Sequence, residues 1–215
     1  MSLRDRLTKT LLFLSITLYY LAGYFFINEW TSHRHRVFHL ALPFEKNIPL
    51  LPALIFAYVM IYIFLAVPYL VIEDLDYFKK IVKSFFICVT LHFAIFLIFP
   101  VGYNLRPVVN PDQGWAYALV DFYYWLDLPY NSFPSMHISN AFLVAFFMRH
   151  HRPYWGWIML PLAFLVAISV VLVKQHYIVD VVAGYLVGWS IFWRVFTPLK
   201  AKSHYVSPLD LRGLH

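Results

Sequence analysis

Six apolar stretches, separated by segments that hold most of the charged residues, dominate this sequence of 215 residues. A helix that spans a bilayer needs roughly 20 mostly apolar residues. The stretches are 11–28, 51–72, 81–100, 136–149, 155–173 and 177–197. Charged residues make up 13% of the chain, whereas soluble domains average about 25%. We therefore predict an all-α, polytopic membrane protein, with a bundle of six transmembrane helices that forms a single domain over residues 1–215.

The basic residues between these stretches predict the orientation in the membrane, because cytoplasmic loops carry an excess of Lys and Arg. With the N-terminus inside, twelve of the 17 basic residues face the cytoplasm. We therefore expect both termini in the cytoplasm. The segments 29–50, 101–135 and 174–176 are expected on the other face, most simply the periplasmic face of a bacterial inner membrane. The fourth stretch is short, so its outer end should lie below the membrane surface in a polar pocket.

The segment Asn131–His137, with the sequence NSFPSMH, is the first candidate for chemistry. Pro134 and Ser135 stand where the fourth apolar helix should begin, and serine is a favoured N-cap residue. The first turn of a helix presents free backbone N–H groups and the positive end of its dipole, which together bind anions. His137 would lie in that turn and face the bound group. The alternative is an ordinary capped helix with a histidine at the membrane interface.

The segment Val173–Asp180, with the sequence VKQHYIVD, precedes the sixth apolar helix and is the second candidate. His176 and Asp180 are four residues apart, so on a helix their side chains share a face. A carboxylate bonded to one imidazole nitrogen fixes the tautomer and leaves the other nitrogen as a nucleophile or base. An acidic residue at the mouth of a span is costly unless it is paired. Asp180 therefore indicates either a functional site or a structural His–Asp pair between two helices.

The predicted topology places His137 and His176 on one face of the membrane at similar depth. Together with Asp180 they suit phosphoryl transfer, in which one histidine attacks phosphorus and the other protonates the leaving oxygen. Positive groups must also hold the phosphate oxygens. Arg106 and Lys174 are the basic residues near this pocket. The alternatives are that Arg106 is a solvated loop charge and that Lys174 extends to the membrane interface.

Other features exclude several function classes. The basic residues are scattered rather than gathered on one face, so we expect no nucleic-acid binding. No glycine-rich nucleotide loop or zinc-spaced cysteine set is present, and we expect neither a cofactor nor a metal. His92, inside the third stretch, has no evident partner and is interpreted as a polar residue in helix packing. Gly184 and Gly188 form a Gly-x-x-x-Gly pattern that predicts close helix packing.

These residues resemble the type 2 phosphatidic acid phosphatase superfamily, which includes lipid phosphate phosphatases and related lipid phosphotransferases. Its three motifs can be written K-x6-R-P, P-S-G-H and S-R-x5-H-x3-D. The chain retains RP at 106–107, PSMH at 134–137, and Ser169, His176 and Asp180. Three positions depart from the motifs: Phe99 stands in place of the lysine, Met136 in place of the glycine, and Val170 in place of the arginine. The resemblance covers roughly residues 99–188, which are therefore the expected catalytic region.

The resemblance implies a role for each of these side chains. His176 would form a phosphohistidine, Asp180 would orient it, and His137 would protonate the leaving alcohol. Arg106 and the backbone amides near Ser135 would bind the phosphate. Lys174 would supply part of the charge that the two missing cations leave out, provided that its side chain reaches the pocket.

The departures from the motifs resemble the branch that contains inositol phosphorylceramide and sphingomyelin synthases, which transfer a phospho-head group between lipids. The expected partners are a lipid phosphate substrate and the surrounding membrane lipids. Water as the acceptor would make the protein a phosphatase, which we favour, and a lipid or sugar hydroxyl would make it a phosphotransferase. An alternative from another class is a catalytically silent phospholipid-binding membrane protein. The head group, the tail and the oligomeric state are left open by the sequence.

Overall fold

A computed structural model describes residues 1–200, with side chains described as far as Phe196. The C-terminal tail, which was expected in the cytoplasm, lies outside the described residues. The helices in the described part are α1 (Leu3–Ser32), α2 (Ile55–Val71), α3 (Leu75–Ile98), α4 (Trp115–Leu126), α5 (Met136–His151), α6 (Pro153–Leu172) and α7 (Ile178–Lys200). Within residues 1–200 the only β pairing is an isolated bridge between Phe38 and Val101. The predicted all-α fold is confirmed.

Five helices, α1, α2, α3, α6 and α7, are long and apolar enough to cross a membrane, so this is an integral membrane protein. The predicted fourth span, α5, has 16 residues and falls short of the roughly 20 that a span needs. Instead, α5 lies at the centre of the bundle. Twelve of its residues between Met136 and Met148 are buried, because α2, α6 and α7 pack around it. The count of six spans stays a prediction.

The predicted helix boundaries are close to the observed ones except at the starts of the first and third spans. α1 begins at Leu3 because Ser2 and Asp5 form a capping box, with hydrogen bonds of 3.1 and 3.2 Å. α3 begins at Leu75 because the Asp74 side chain accepts hydrogen bonds from two N–H groups of its first turn. The first turns of these two helices are polar. A search for apolar stretches therefore detects only the later, apolar part of each helix.

The helix α4 lies in the segment 101–135, which the sequence analysis treated as an outer loop. With 12 residues, it is too short to span a bilayer and was therefore missed by a search for long apolar stretches. Val120 is fully buried against the bundle, whereas Trp115 and Trp125 are exposed. The outer segment is thus a folded layer over the end of the bundle.

The helices α7 and α5 approach each other closely at two glycines. A Cβ atom placed on Gly184 would lie 2.5 Å from the Ser135 carbonyl oxygen, and one on Gly188 would lie 2.6 Å from the Ser139 carbonyl oxygen. Both obstacles are backbone atoms of α5 or its N-cap, which cannot rotate away. A larger residue would therefore separate the helices, and the close packing predicted from the Gly-x-x-x-Gly pattern is confirmed.

A buried hydrogen-bond chain joins α3 to the same helix contact. His92 is fully buried, and its Nδ1 lies 2.7 Å from the Cys88 carbonyl oxygen. Since a carbonyl only accepts, Nδ1 donates and Nε2 is left to accept from the Ser139 hydroxyl at 3.0 Å. The Ser139 Oγ also lies 2.8 Å from the Gly184 carbonyl oxygen. Polar groups in a bilayer must be satisfied within the protein, so His92 is a packing residue, as the sequence suggested.

We expect Gly184→Ala to destabilise the protein, because the added Cβ must displace the Ser135 backbone. Overpacking costs about 1–3 kcal/mol, which exceeds the roughly 0.5–1 kcal/mol that alanine gains over glycine inside a helix. The measurement is the midpoint of thermal unfolding in detergent. Gly156→Ala is the matched control, since its Cβ would meet only side-chain atoms of Arg149, the nearest at 2.8 Å. Equal midpoints for the two variants would contradict this packing argument.

Candidate active site

The predicted site residues belong to three segments that meet at one end of the bundle: the loop after α3, the segment before α5 and the segment between α6 and α7. Two backbone hydrogen bonds join these segments. The Ser135 N–H donates to the Asp180 carbonyl at 3.0 Å, and the Ser132 N–H donates to the Val101 carbonyl at 3.2 Å. The starts of α5 and α7 are therefore held side by side.

The rings of His137 and His176 lie against each other. Their centroids are 5.6 Å apart and their planes are inclined at 63°, and each residue is 5% exposed. The Tyr58 ring of α2 also packs on His137, with the centroids 4.9 Å apart. Within residues 1–196 no side-chain or backbone group forms a hydrogen bond with the His137 imidazole, so its nitrogens remain available to a ligand. The two histidines singled out in the sequence are thus brought together.

Two oxygen atoms determine the tautomer of His176. Its Nδ1 lies 3.0 Å from the Ser132 carbonyl oxygen and 3.5 Å from a carboxylate oxygen of Asp180. A carbonyl oxygen can only accept a hydrogen bond, so Nδ1 carries the proton and Nε2 keeps its lone pair. The sequence predicted Asp180 as the partner of this ring. The Ser132 carbonyl, which the sequence analysis missed, is the nearer of the two.

Asp180 is fully buried in the first turn of α7. One carboxylate oxygen accepts a hydrogen bond from the Tyr177 N–H at 2.9 Å. The other oxygen has no hydrogen-bond partner in the described part of the chain. A negative charge near a helix N-terminus interacts favourably with the helix dipole. The same carboxylate lies beside His176, where it stabilises positive charge on that ring.

Ser135 begins α5, as the sequence predicted. Its hydroxyl accepts a hydrogen bond from the Ile138 N–H at 3.4 Å and so acts as the N-cap. The first N–H groups of an α-helix have no partner within the helix, and in α5 these groups lie next to His137. The start of the helix therefore has the expected anion-binding feature, whereas the Ser135 hydroxyl is engaged in the cap.

Arg106 extends towards the residue that precedes His176. Its Nη1 donates to the carbonyls of Asp127, at 2.7 Å, and Tyr124, at 3.3 Å. Its Nη2 donates to the side-chain oxygen of Gln175, and the guanidinium lies 4.6 Å from the centroid of the Tyr124 ring. Arg106 is therefore anchored in the site, and the alternative of a solvated loop charge is wrong.

Gln175, which the sequence analysis did not single out, is 4% exposed. Its Oε1 accepts from Arg106, so the remaining amide atom is the donor Nε2. Neither Gln175 Nε2 nor Arg106 Nε has a hydrogen-bond partner in the described residues. Buried donors normally have a hydrogen-bond partner. These two donors belong to the two side chains joined by the Arg106–Gln175 hydrogen bond, and an anion could accept hydrogen bonds from both. The only signal in the sequence was the position of Gln175 next to His176.

Lys174 is engaged in the loop rather than with the other site residues. Its Nζ donates to the Glu45 carbonyl at 3.1 Å, and among residues 1–196 no hydrogen bond joins it to His137 or Arg106. Burial lowers the pKa of the Lys174 ammonium, and the Glu45 carboxylate opposes that shift. The predicted role of Lys174 in phosphate binding stays a prediction.

The Glu45 side chain, missed in the sequence analysis, anchors the segment 33–54 to the start of α7. Its carboxylate accepts hydrogen bonds from the Ile178 N–H at 2.6 Å and from the Leu42 N–H at 2.5 Å. Glu45 is 2% exposed. Since Ile178 is the first residue of α7, this carboxylate caps the helix whose preceding turn carries His176.

Asp127 is the second acidic residue that the sequence analysis missed. Its carboxylate accepts hydrogen bonds from the hydroxyls of Tyr24, at 2.8 Å, and Tyr58, at 3.4 Å. Burial raises the pKa of the Asp127 carboxyl, and the Arg106 guanidinium opposes this shift. The carboxylate thus links α1 and α2 to the end of α4, and through the Tyr58 ring it supports His137.

The two positions at which the chain lacks a cation of the family motifs, 99 and 170, have no free cation in their place. Phe99 stacks on Phe38 with ring centroids 4.6 Å apart, so the position of the motif lysine lies in an aromatic contact. Val170 is fully buried, and its carbonyl accepts from the N–H groups of Gln175, at 2.9 Å, and His176, at 3.1 Å. The backbone of Val170 therefore holds the turn before α7, whereas its side chain offers no charge.

Comparison with known proteins gives a family match and two partial relatives. The model of the PAP2 superfamily matches residues 84–203. An uncharacterized protein of Methanocaldococcus jannaschii is 34% identical over 93 residues, which are 42% of this chain and 38% of that protein. The bacitracin transport permease protein BcrC of Bacillus licheniformis is 40% identical over 67 residues, which are 29% of this chain and 33% of that protein.

The chain thus matches only 33–38% of the length of each of these curated relatives. No solved structure matches the chain. The family match, in contrast, extends over more than half of the chain and includes Arg106, His137, His176 and Asp180. This protein therefore belongs to the PAP2 superfamily.

Proposed function

We propose that this protein is a membrane lipid-phosphate phosphatase that works through a phosphohistidine on His176, with water as the acceptor. The orientation of His176 carries the proposal. Its Nδ1 faces the Ser132 carbonyl and the Asp180 carboxylate, so the Nε2 lone pair is free. A neutral imidazole in this state is a nucleophile. The neighbouring His137 ring, 5.6 Å away between centroids, is close enough to exchange a proton with the same substrate.

In the first step, His176 Nε2 attacks phosphorus and the bond between phosphorus and the ester oxygen breaks. The electron pair of that bond goes to the leaving oxygen. His137, in its protonated form, donates a proton there and releases a neutral alcohol. The positive charge that forms on the His176 ring is stabilised by Asp180, whose carboxylate lies 3.5 Å from Nδ1.

In the second step, a water molecule attacks the phosphohistidine and the bond between nitrogen and phosphorus breaks. His137, now neutral, accepts a proton from that water. Inorganic phosphate leaves, and both histidines return to their starting protonation states. One pair of side chains therefore serves both steps, because the acid of the first step becomes the base of the second.

Three groups support the proposed binding of the phosphate oxygens: Arg106, the Gln175 side-chain amide and the first N–H groups of α5. Arg106 Nε and Gln175 Nε2 are buried donors without a hydrogen-bond partner in the described residues. Donors held in place before the reaction stabilise developing charge without further reorganisation. In this proposal the Gln175 amide binds phosphate oxygens that the missing family cations would otherwise bind. Lys174 contributes positive charge from a greater distance.

The second candidate is a lipid phosphotransferase that passes the phospho-head group to a lipid or sugar hydroxyl. The observations that favour it are Met136, a bulky residue after Pro-Ser, and Val170, which leaves His-x3-Asp without the motif arginine. Both resemble the branch that contains inositol phosphorylceramide synthase. The chemistry of the first step is the same, and only the acceptor of the second step differs. Phosphate release in the absence of any added alcohol favours the phosphatase. Formation of a new phosphoester on an added alcohol, without free phosphate, favours the phosphotransferase.

A catalytically silent phospholipid-binding protein is the candidate from another class. The reason to consider it is that two motif cations are missing, because a protein can lose catalysis and still bind anions. The pairing of His137 with His176, and of His176 with Asp180, argues for retained chemistry. Turnover of any lipid phosphate by the purified protein would exclude the silent protein.

The proposed setting is a bacterial inner membrane, with the termini in the cytoplasm and the active site on the periplasmic face. The excess of basic residues in the segments at the opposite end of the bundle supports this orientation. We further propose that residues 99–188 form the catalytic region, because the phosphate-binding and histidine residues named above all fall within it.

We expect His137→Ala to reduce phosphate release from lipid phosphates by about 10²–10⁴-fold, the usual contribution of an acid or base, and His176→Ala to reduce it at least as much. His176→Ala removes the nucleophile, so no acid-labile phosphoenzyme should form. The measurement is phosphate release by purified protein, together with trapping of the phosphoenzyme from radiolabelled substrate. His35→Ala is the matched control, since His35 is exposed. Full activity of His176→Ala on every substrate of the parent protein would overturn the proposed function.

We expect Gln175→Glu to lower kcat/KM by roughly tenfold to a hundredfold, because a hydrogen bond to a charged group contributes about 1.5–3 kcal/mol. The substitution keeps the size of the side chain but replaces the donor Nε2 by an acceptor. Inhibition by inorganic phosphate should weaken in parallel. Gln113→Glu, at an exposed position of the outer segment, is the matched control. If both variants keep the parent's kcat/KM and phosphate inhibition, Gln175 does not contact the phosphate.

A further inference from the structure

An apolar cavity of about 240 Å³ lies between α1, α2 and α3, and Asn140 of α5 contributes to its lining. The lining consists mainly of aromatic and aliphatic side chains, such as Phe13, Leu65, Ile81 and Phe85. No step of the proposed reaction uses these residues. A cavity of this composition excludes water and favours an apolar occupant.

The cavity lies directly beneath the candidate active site. Three of its lining residues are Tyr20, Tyr62 and Asn140. On their helices they lie one turn deeper than Tyr24, Tyr58 and His137, respectively. Residues three or four positions apart share one helix face. Tyr24 and Tyr58 bond to Asp127, and Tyr58 packs on His137. The faces of α1, α2 and α5 that form the site therefore continue into the cavity.

Asn140 is the polar feature at the upper end of the cavity. It is 1% exposed, and its Oδ1 has no hydrogen-bond partner within the described residues. An unpaired polar group inside a bilayer protein costs several kcal/mol. A buried amide that lines a cavity one turn from His137 is therefore placed to bind a polar group of a ligand.

The cavity is long enough to hold an extended chain. Along α3 its lining runs from Phe78 to Val89, which at 1.5 Å per residue corresponds to about 17 Å. That is more than half of the roughly 30 Å hydrocarbon core of a bilayer. On α2 the lining reaches Pro68, near the end of the helix that is remote from His137.

We propose that this cavity binds one hydrocarbon chain of the lipid phosphate, and that Asn140 Oδ1 accepts a hydrogen bond from a hydroxyl or N–H group that lies between that chain and the phosphate. The proposal rests on the proposed function and adds the class of substrate: a lipid whose chain descends from the phosphate-bearing carbon into the protein instead of remaining in the bilayer. The depth of the cavity then sets the preferred chain length. A chain that passes below Tyr62 gains apolar contacts at each further carbon.

The test fills the lower part of the cavity with Ala66→Phe, since Ala66 lies on α2 one turn below Tyr62 and lines the cavity. The substrates are alkyl phosphates of increasing chain length that carry a single chain. We expect kcat/KM for the longest chain to fall by about tenfold, the loss of roughly two buried methylene groups, while that for the shortest chain stays near the parent value. Ala22→Phe is the matched control, because Ala22 is exposed on α1 and outside the lining.

Unchanged selectivity between long and short chains in Ala66→Phe would overturn the proposal while leaving the proposed function in place. Retained activity on the shortest chain shows that the variant is folded. If Ala66→Phe loses all activity, the smaller change Ala66→Leu is used, and a partial shift towards shorter chains supports the proposal. The same selectivity as the parent in Ala66→Leu counts against it.

A second measurement separates failure of this proposal from failure of the proposed function. An alkyl phosphate with a photoreactive diazirine at the end of its chain is bound to the parent protein in detergent and irradiated. Labelling of the residues around Pro68 and Phe78, competed by unlabelled alkyl phosphate, supports the cavity site even if no phosphate is released. Labelling spread over exposed residues such as Leu70 and Ile98 would show non-specific contact at the detergent-covered surface and overturn the proposal.

Discussion

The close approach of α7 to α5 is the constraint on which the candidate site depends. At Gly184 and Gly188 the space for a side chain is already occupied by backbone oxygens of the facing helix or its N-cap. This contact brings the two helix starts side by side, so that the Ser135 N–H reaches the Asp180 carbonyl. If the helices were separated by even one methyl group, that hydrogen bond would lengthen. The two histidines, which lie on either side of it, would then move apart.

Backbone groups do much of the positioning in this site. The Ser132 carbonyl orients His176, and the Val170 carbonyl holds the turn before α7. The first N–H groups of α5 lie next to His137. Backbone atoms are present whatever the side chain, so such positioning survives the replacement of the two motif cations by Phe99 and Val170. These replacements remove two positive charges from the motifs. Arg106, hydrogen-bonded to Gln175, keeps its positive charge.

The membrane setting explains why polar residues in this bundle occur in connected groups. Lipid offers no hydrogen bonds, so each buried donor or acceptor needs a partner inside the protein. His92 and Ser139 satisfy each other between α3 and α5, because the Ser139 hydroxyl donates to His92 Nε2. The exceptions are informative for the same reason, because a buried polar atom without a partner is placed to meet a ligand. Asn140 Oδ1 and Gln175 Nε2 are such atoms. Asn140 lies one turn after His137 on α5, and Gln175 precedes His176.

The sequence by itself determined the elements that depend on neighbouring residues. Apolar stretches of span length predicted α1, α2, α3, α6 and α7, and Pro134-Ser135 predicted the start of α5. The spacing of His176 and Asp180 predicted that their side chains would lie close together, as they do. The reason differs from the one expected, because His176 lies just before α7 and not on it. These features arise within a few residues of the chain, so a pattern of residue types is sufficient to predict them.

The tertiary structure alone decided which distant residues complete the site. Glu45 caps α7 across 133 positions of the chain, and Arg106 meets Gln175 across 69. Lys174 points to Glu45 rather than to the histidines, and a cavity beneath the site forms from faces of α1, α2, α3 and α5. No local pattern encodes these contacts. They depend on how the helices pack and on the requirement that each charge buried among them be satisfied, which is met only when the whole bundle has formed.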